Sequence, residues 1–384
     1  MTEPSPKAAT PPLRGALRIE AADLRLVALP LVTPFVISTG TMTDKIFPLL
    51  TLQANGIEGV GEGVMDPTPD YLEETIPATM AFLREVLLPT VVGRTFTSPA
   101  DLAPILDPWR GHRMAKAMVE MAFTDLFAKS VGLSLRDLLG GRGTEVAVGV
   151  SIGIADIPTT LDRIGVAQEA GYRRTKLKIK QGHDVKLLAA VRERFPTIKL
   201  TVDANTDYGL VDLPVLRALD AFGLDYIEQP LAFDDIHDHA IVQQALATAI
   251  CLDESIRSAV DARKALVAGA ARVINIKVGR VGGFASARAI HDVCAAFGVP
   301  VWCGGMLEAG VGRAHNIHLA TLPSFTKPGD TSSASRYFHR DIIEERLETQ
   351  NGMMPVPLNG PGMGVTLDRA FLKTVTRSTE SFRP

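Results

Sequence analysis

Apolar residues follow two rhythms along this chain, and the rhythm changes near residue 145. From residue 16 to residue 63 the pattern is strand-like: ALRIEAADLRLVALPLV, then FPLLTLQANGIEGVGEG, with Asn55-Gly56 as the turn of a hairpin. Two stretches with helical spacing follow, DYLEETIPATMAFLREVLLP and MAKAMVEMAFTDLFAKSVG, the second closing near Gly132. Strands followed by helices predict a separate α+β unit over residues 16–145. After the turn-rich GGRGTE, short apolar runs alternate with amphipathic ones. VAVGVSIGI, TKLKIK, KLTVDA, LDYIEQ, AICLDE, RVINIKV and PVWCGG read as seven strands, whereas an eighth is indistinct. Alternating βα units with β-branched strands predict a (β/α) barrel over residues 146–345 rather than an open doubly wound sheet. An open sheet that binds dinucleotides carries a glycine-rich first turn. GRVGGF at 279–284 does not match that pattern, and the first βα turn has no equivalent.

Length and composition agree with a two-domain enzyme. The chain has 384 residues, of which 46% are hydrophobic, enough for a large core. A net charge of −3 gives no electrostatic case for nucleic acid. Cys251, Cys294 and Cys303 lack CxxC spacing and suit buried thiols in a reducing cytosol, so a cytoplasmic location is expected. Residues 1–15, MTEPSPKAATPPLRG, have no apolar signal core and read as a disordered tail. No apolar run approaches the ~20 residues of a membrane span.

Charged residues change the picture most. Lys178, Asp203, Glu228, Asp253 and Lys277 follow one another at intervals of 25, 25, 25 and 24 residues, and each closes an apolar run. A strand, loop, helix and return loop need roughly that many residues, so the five charges fall at equivalent ends of five consecutive parallel strands. One acid at a strand end is commonly a helix cap or a salt-bridge partner. Five charges at one spacing are different, because charges in an apolar barrel are costly unless paired or bound to metal.

Strands four apart lie opposite one another in a ring of about eight. Lys178 and Lys277 are therefore expected to face each other, with Asp203, Glu228 and Asp253 as a wall between them. Three carboxylates without nearby His or Cys suit Mg²⁺, with Mn²⁺ as substitute. A small-molecule carboxylate on that ion would hold its α-carbon between two lysines, and removing the α-proton gives an enediolate. A lysine base must be neutral, which requires a pKa falling from about 10.4 toward ~7–8. Lys176, on the same side of TKLKIK, is the nearby cation expected to favour this. Lys180 reads as a solvated strand-end charge.

Other candidates are weaker. His237-Asp238-His239 has the HxH form of metal-dependent hydrolases but follows the fourth strand, so an exposed loop or helix position is expected. His315 and His318 read as packing or capping residues. Met306 could fill the core or reach the site. Gly304 and Gly305 mark close backbone approach to a ligand.

KLKIK, VDAN, IEQPL, LDES, NIKVGRVGG and VWCGGMLEAGVGRAHNIHLATLPSFT, with PGDTSSASRYF beyond them, carry a family resemblance. The chain resembles the muconate lactonizing subgroup of the enolase superfamily, nearest the branch of o-succinylbenzoate synthases and N-succinylamino acid (N-acylamino acid) racemases. The resemblance implies a modified TIM barrel, (β/α)7β, under an α+β N-terminal capping domain completed by the C-terminal segment, residues 346–384. It implies Lys178 and Lys277 as the acid/base pair and Asp203, Glu228 and Asp253 as Mg²⁺ ligands. It places Ser151, Lys176, Asn205, Arg280, Gly305, Met306 and Leu307 at the substrate. Phe35 and Met42 of the capping domain are expected to cover the substrate's far end. Dipeptide epimerases and muconate-type cycloisomerases of the superfamily are the alternatives, and a non-catalytic ligand-binding barrel is the reading of another class. A homo-oligomer is expected, without nucleic acid or membrane partners.

Overall fold

The computed structural model describes residues 15–37 and 40–384, so residues 1–14 of the expected tail lie outside it. The N-terminal strands β1 (Ala21–Ile37), β2 (Gly40–Ala54) and β3 (Ile57–Glu62) form an antiparallel sheet. Asn55 and Gly56, at φ 51° and 72°, make the tight turn between β2 and β3 that two left-handed residues permit. Helix α1 (Arg113–Ser130) buries Met118, Ala122, Phe123 and Leu126 in one cluster with Leu50 and Leu52 of that sheet.

Seven parallel strands follow: β4 (Val150–Ile152), β5 (Thr175–Lys178), β6 (Leu200–Asp203), β7 (Ile227–Glu228), β8 (Ile250–Leu252), β9 (Val273–Ile276) and β10 (Val301–Cys303). They hydrogen-bond in sequence order within one sheet. Their side chains are buried on both faces, as parallel strands under helices must be, which explains the continuous apolar runs. Helix α2 (Phe284–Ala296) follows β9, and α3 (Gly310–Leu319) follows β10.

The indistinct eighth strand is an irregular segment that bridges both edges of this sheet. Phe325 bridges Val301 of β10, and Gly329 bridges Val148 just before β4. Pro323 and Pro328 flank it, and a residue without an N–H cannot sustain a ladder. The segment therefore closes the ring without reading as a strand. The last strand, β11 (Thr376–Phe382), returns to pair antiparallel with β1, so the C-terminus completes the N-terminal sheet. Among the described residues no helix is long and apolar enough to cross a membrane.

Candidate active site

The strand register sets the charges side by side. Lys178 pairs with Asp203 and Asp203 with Glu228 as direct Cα partners, while Asp253 and Lys277 each stand one residue beyond their strands. The equal spacing in the sequence is thus a row at the carboxyl ends of β5 to β9. A cavity of about 400 Å³ opens over this row. Ser151, Lys176, Lys178, Asp203, Asn205, Lys277, Gly305, Met306 and Leu307 line it from the barrel, and Met42, Lys45 and Tyr71 from the N-terminal region.

Each acid of the wall is answered by nitrogen. Lys178 Nζ donates to Asp203 Oδ2 at 2.7 Å and to Asn205 Oδ1 at 2.5 Å. Lys176 Nζ stands 3.2 Å from Asp203, donates to Glu228 Oε2 at 2.9 Å, and pairs with Asp330 at 2.7 Å. Lys277 Nζ donates to Asp253 Oδ2 at 2.7 Å and to the Tyr71 hydroxyl at 3.0 Å. Burial raises the proton affinity of Asp203, but the Lys178 and Lys176 ammoniums outweigh it and hold the carboxyl below its usual range. Asp253 is held low in the same way, burial being outweighed by Arg280 and Lys277. For Glu228, burial and the charge of Asp203 prevail over Lys176 and push the carboxyl well up. Burial works against the Lys277 ammonium, yet the Asp253 carboxylate prevails and raises its pKa.

Asp203, Glu228 and Asp253 are 0–1% exposed. Their donor set fits a hard divalent cation: oxygen only, from three adjacent strands, in a buried row where a positive charge is required. Among the described residues no three acidic, His or Cys side chains already converge as a chelate; instead each acid turns to a lysine or arginine.

Several expectations are corrected by the packing. Arg280 does not reach the cavity. Its guanidinium lies behind Asp253, bonded to that carboxylate and to the carbonyls of Ile256 and Asn275, a placement that positions Asp253. Lys176 is no unpaired cation beside Lys178, because three carboxylates neutralise it and raise its own pKa despite burial. Gly304 makes room for a side chain rather than a ligand: a Cβ there would stand 2.3 Å from Asn275 Oδ1. Met306 does both jobs, packing into the N-terminal cluster and lining the cavity. Leu307 holds a left-handed backbone, φ 57°, at the cavity wall.

None of His237, His239, His315 and His318 lines the cavity. His237 is exposed, but His239 is fully buried, accepting from Leu231 N at 3.1 Å, so HxH lies in the first turn of the helix His237–Ala245 and only half of it is solvated. His318 accepts from Arg136 N at 3.1 Å, and His315 meets Phe284 edge-on. Lys180 is exposed, and Met42 lines the cavity, whereas the side chain of Phe35 lies outside the described residues.

Sequence reasoning missed four partners. Asp330 anchors Lys176 and is itself held by Arg174, whose guanidinium stacks on Trp302. Asn275 donates to Glu228 Oε1 at 2.9 Å, and Tyr71 reaches Lys277 from the N-terminal region. A signal for Asp330 existed: Cys303 follows Lys277 by 26 residues, and Asp330 follows Cys303 by 27, which continues the repeat to the eighth position. Tyr71 and Asn275 carry no comparable mark.

Comparison with known proteins identifies the family of the chain. Residues 21–140 match the model of the mandelate racemase/muconate lactonizing enzyme N-terminal domain, and residues 161–371 match that of the enolase C-terminal domain-like family. The chain is 53% identical over 363 residues to an N-succinylamino acid racemase of Thermus thermophilus, covering 94% of this chain and 98% of that protein. It is 48% identical over 371 residues to an o-succinylbenzoate synthase of Geobacillus kaustophilus, covering 96% and 98%. A solved enolase-superfamily structure from Listeria innocua superposes with a TM-score of 0.93 at 42% identity, covering 96% of this chain and 99% of that one.

Proposed function

The chain is an enzyme of the mandelate racemase and muconate lactonizing enzyme family, and we propose that it removes a proton α to a carboxylate. The proposed reactions are those named for its relatives: racemisation of N-succinylamino (N-acylamino) acids, dehydration to o-succinylbenzoate on the way to menaquinone, or both at one site. The observation that carries this reading is the wall of three buried carboxylates with a lysine at each flank.

In this proposal Asp203, Glu228 and Asp253 hold Mg²⁺, the ion general to the family, or Mn²⁺ in its place. When bound, the ion supplies Lewis-acid stabilisation of negative charge that builds on the substrate carboxylate. Lys178 and Lys277 flank the α-carbon. In racemisation one lysine takes the proton from one face while the other returns a proton to the opposite face. In dehydration Lys178 takes the α-proton and, as the ammonium so formed, returns a proton to the β-hydroxyl, which departs as water while the C=C bond forms; Lys277 serves as the cation on the opposite face. Asn205 and Tyr71 accept hydrogen bonds from the two lysines and so fix where each nitrogen points. Met42 and Met306 supply apolar wall against water over the reacting carbon.

The dipeptide epimerase alternative is disfavoured by Asp330, which is already engaged by Lys176 and Arg174 and has little capacity left for a substrate ammonium. The test uses purified protein stripped with EDTA and reloaded with Mg²⁺. Racemisation of N-succinyl-L-phenylalanine is followed by polarimetry, and o-succinylbenzoate formation by absorbance. Turnover of at least one substrate that vanishes with EDTA and returns with Mg²⁺ is expected. Inactivity on both with Mg²⁺ present would remove the reading.

A further inference from the structure

The cavity contains a second positive point, remote in sequence from the wall. Lys45 lies on β2, opposite Leu29 of β1, and is 1% exposed, yet it lines the same cavity as Lys178 and Lys277. Among the described residues its ammonium makes no hydrogen bond. Its one ion pair is with Asp66 Oδ1 at 3.6 Å, too long for a hydrogen bond, and the Asp66 side chain is 25% exposed to water. A buried ammonium with unfilled donors is costly, and an anion inside the cavity would remove that cost. The other cations of the lining are committed. Lys176, Lys178 and Lys277 answer the wall, and Arg313 spends its two terminal nitrogens on the carbonyls of Ser332 and Glu308.

We propose that Lys45 is the anchor for a second, distal carboxylate of the substrate, the terminal carboxylate of a succinyl group. This rests on the reading of the wall as the seat of the reacting carboxylate. A substrate held at both ends must be a dicarboxylate, with one group at the wall and one beneath the N-terminal sheet. N-succinylamino acids and the succinyl-bearing precursor of o-succinylbenzoate differ at the reacting end but share the succinyl end. A distal anchor therefore gives one cavity a common handle for two reactions. Lys45 is a specificity residue and not a catalytic one, because nothing at the α-carbon requires it.

The experiment compares N-succinyl-phenylalanine with its neutral isostere, N-succinamoyl-phenylalanine, in the Mg²⁺-loaded parent, Lys45→Met and Lys45→Arg. The readout is the ratio of kcat/KM for the two substrates. Losing the partner of a buried charge should lower this ratio roughly 30-fold or more in Lys45→Met, chiefly through KM, and Lys45→Arg should restore much of it. An unchanged ratio in Lys45→Met, or an equal loss on both substrates, would overturn the proposal. Binding of o-succinylbenzoate by calorimetry keeps the two questions apart. If the parent turns over neither substrate, the proposed reaction fails, while weaker binding to Lys45→Met than to the parent still supports the anchor and equal binding still overturns it.

Discussion

Two sets of buried carboxylates lie on either side of the junction between the N-terminal region and the barrel, and they are neutralised differently. The wall acids Asp203, Glu228 and Asp253 face lysine and arginine side chains. At the seam, Glu62 of β3 accepts from Ala309 N at 2.7 Å and Gly312 N at 2.8 Å, at the start of α3. Glu120 of α1 accepts from Phe284 N at 2.8 Å and Ala285 N at 3.1 Å, at the start of α2. Both seam acids thus cap barrel helices from outside the barrel, where the unpaired amides and the helix dipole favour an acceptor. Side-chain cations can move aside when an ion or a substrate arrives, whereas backbone amides cannot. The wall is therefore fit for chemistry and the seam for holding two regions together.

The lysines give the largest expected effect. Lys178→Ala and Lys277→Ala should each lower racemisation on the order of 10³-fold or more, because inversion needs both faces. Deuterium exchange in D₂O, read by NMR on each enantiomer of an N-succinylamino acid, should survive for one enantiomer in one variant and for the opposite enantiomer in the other. A single variant racemising near the parent rate would break the two-face geometry.

Next come the wall acids. Asp203→Asn, Glu228→Gln and Asp253→Asn should each weaken Mg²⁺ binding by calorimetry and reduce turnover on the order of 10²–10³-fold, by analogy with a lost transition-state donor. Each variant should keep the parent's fold by circular dichroism but melt lower without metal, because a buried lysine or arginine loses its carboxylate. Full activity in any two would remove the wall from the chemistry. Arg280→Met, acting only through Asp253, should cost about 10- to 100-fold in kcat with substrate KM little changed. A change confined to KM would instead return Arg280 to the substrate.

The seam should respond in stability rather than turnover. Glu62→Gln loses an acceptor for one helix amide and should cost about 1–2 kcal/mol by denaturant titration. Burial pushes the Glu62 carboxyl up to about 8 and that of Glu120 to about 7, although the amides oppose it. A carboxyl that binds its proton more tightly when folded contributes stability that is full below its ordinary value of 4.5 and is lost as pH rises through the folded value. Parent stability should therefore decline between pH ~5 and ~8, with a shallower slope in Glu62→Gln. Equal slopes would show that the seam acid does not titrate in that window.

Much of the site was legible because the barrel is periodic. Each strand-end charge recurs after one βα unit, so spacing alone gathered Lys178, Asp203, Glu228, Asp253 and Lys277, and the same rhythm reaches Asp330. The eighth strand was not legible, since Pro323 and Pro328 erase its pattern while two isolated bridges still close the ring. GRVGGF carried part of the family resemblance in the sequence, but the role of its glycines was not legible there. In the fold Gly283, at φ 102°, leaves space for Glu120, whose Oε2 would stand 2.3 Å from a Cβ there.

By itself the sequence determined the alternation of strands and helices, the change of architecture near residue 145 and the row of charges, because these depend on local periods of two residues, of a helical turn and of a βα unit. Only the tertiary structure decided which nitrogen meets which carboxylate: Arg280 behind Asp253, Tyr71 on Lys277, Lys45 above the cavity and Glu62 on a distant helix. Those contacts join residues up to 250 positions apart, as Glu62 and Gly312 are, and no local period records a distance of that kind.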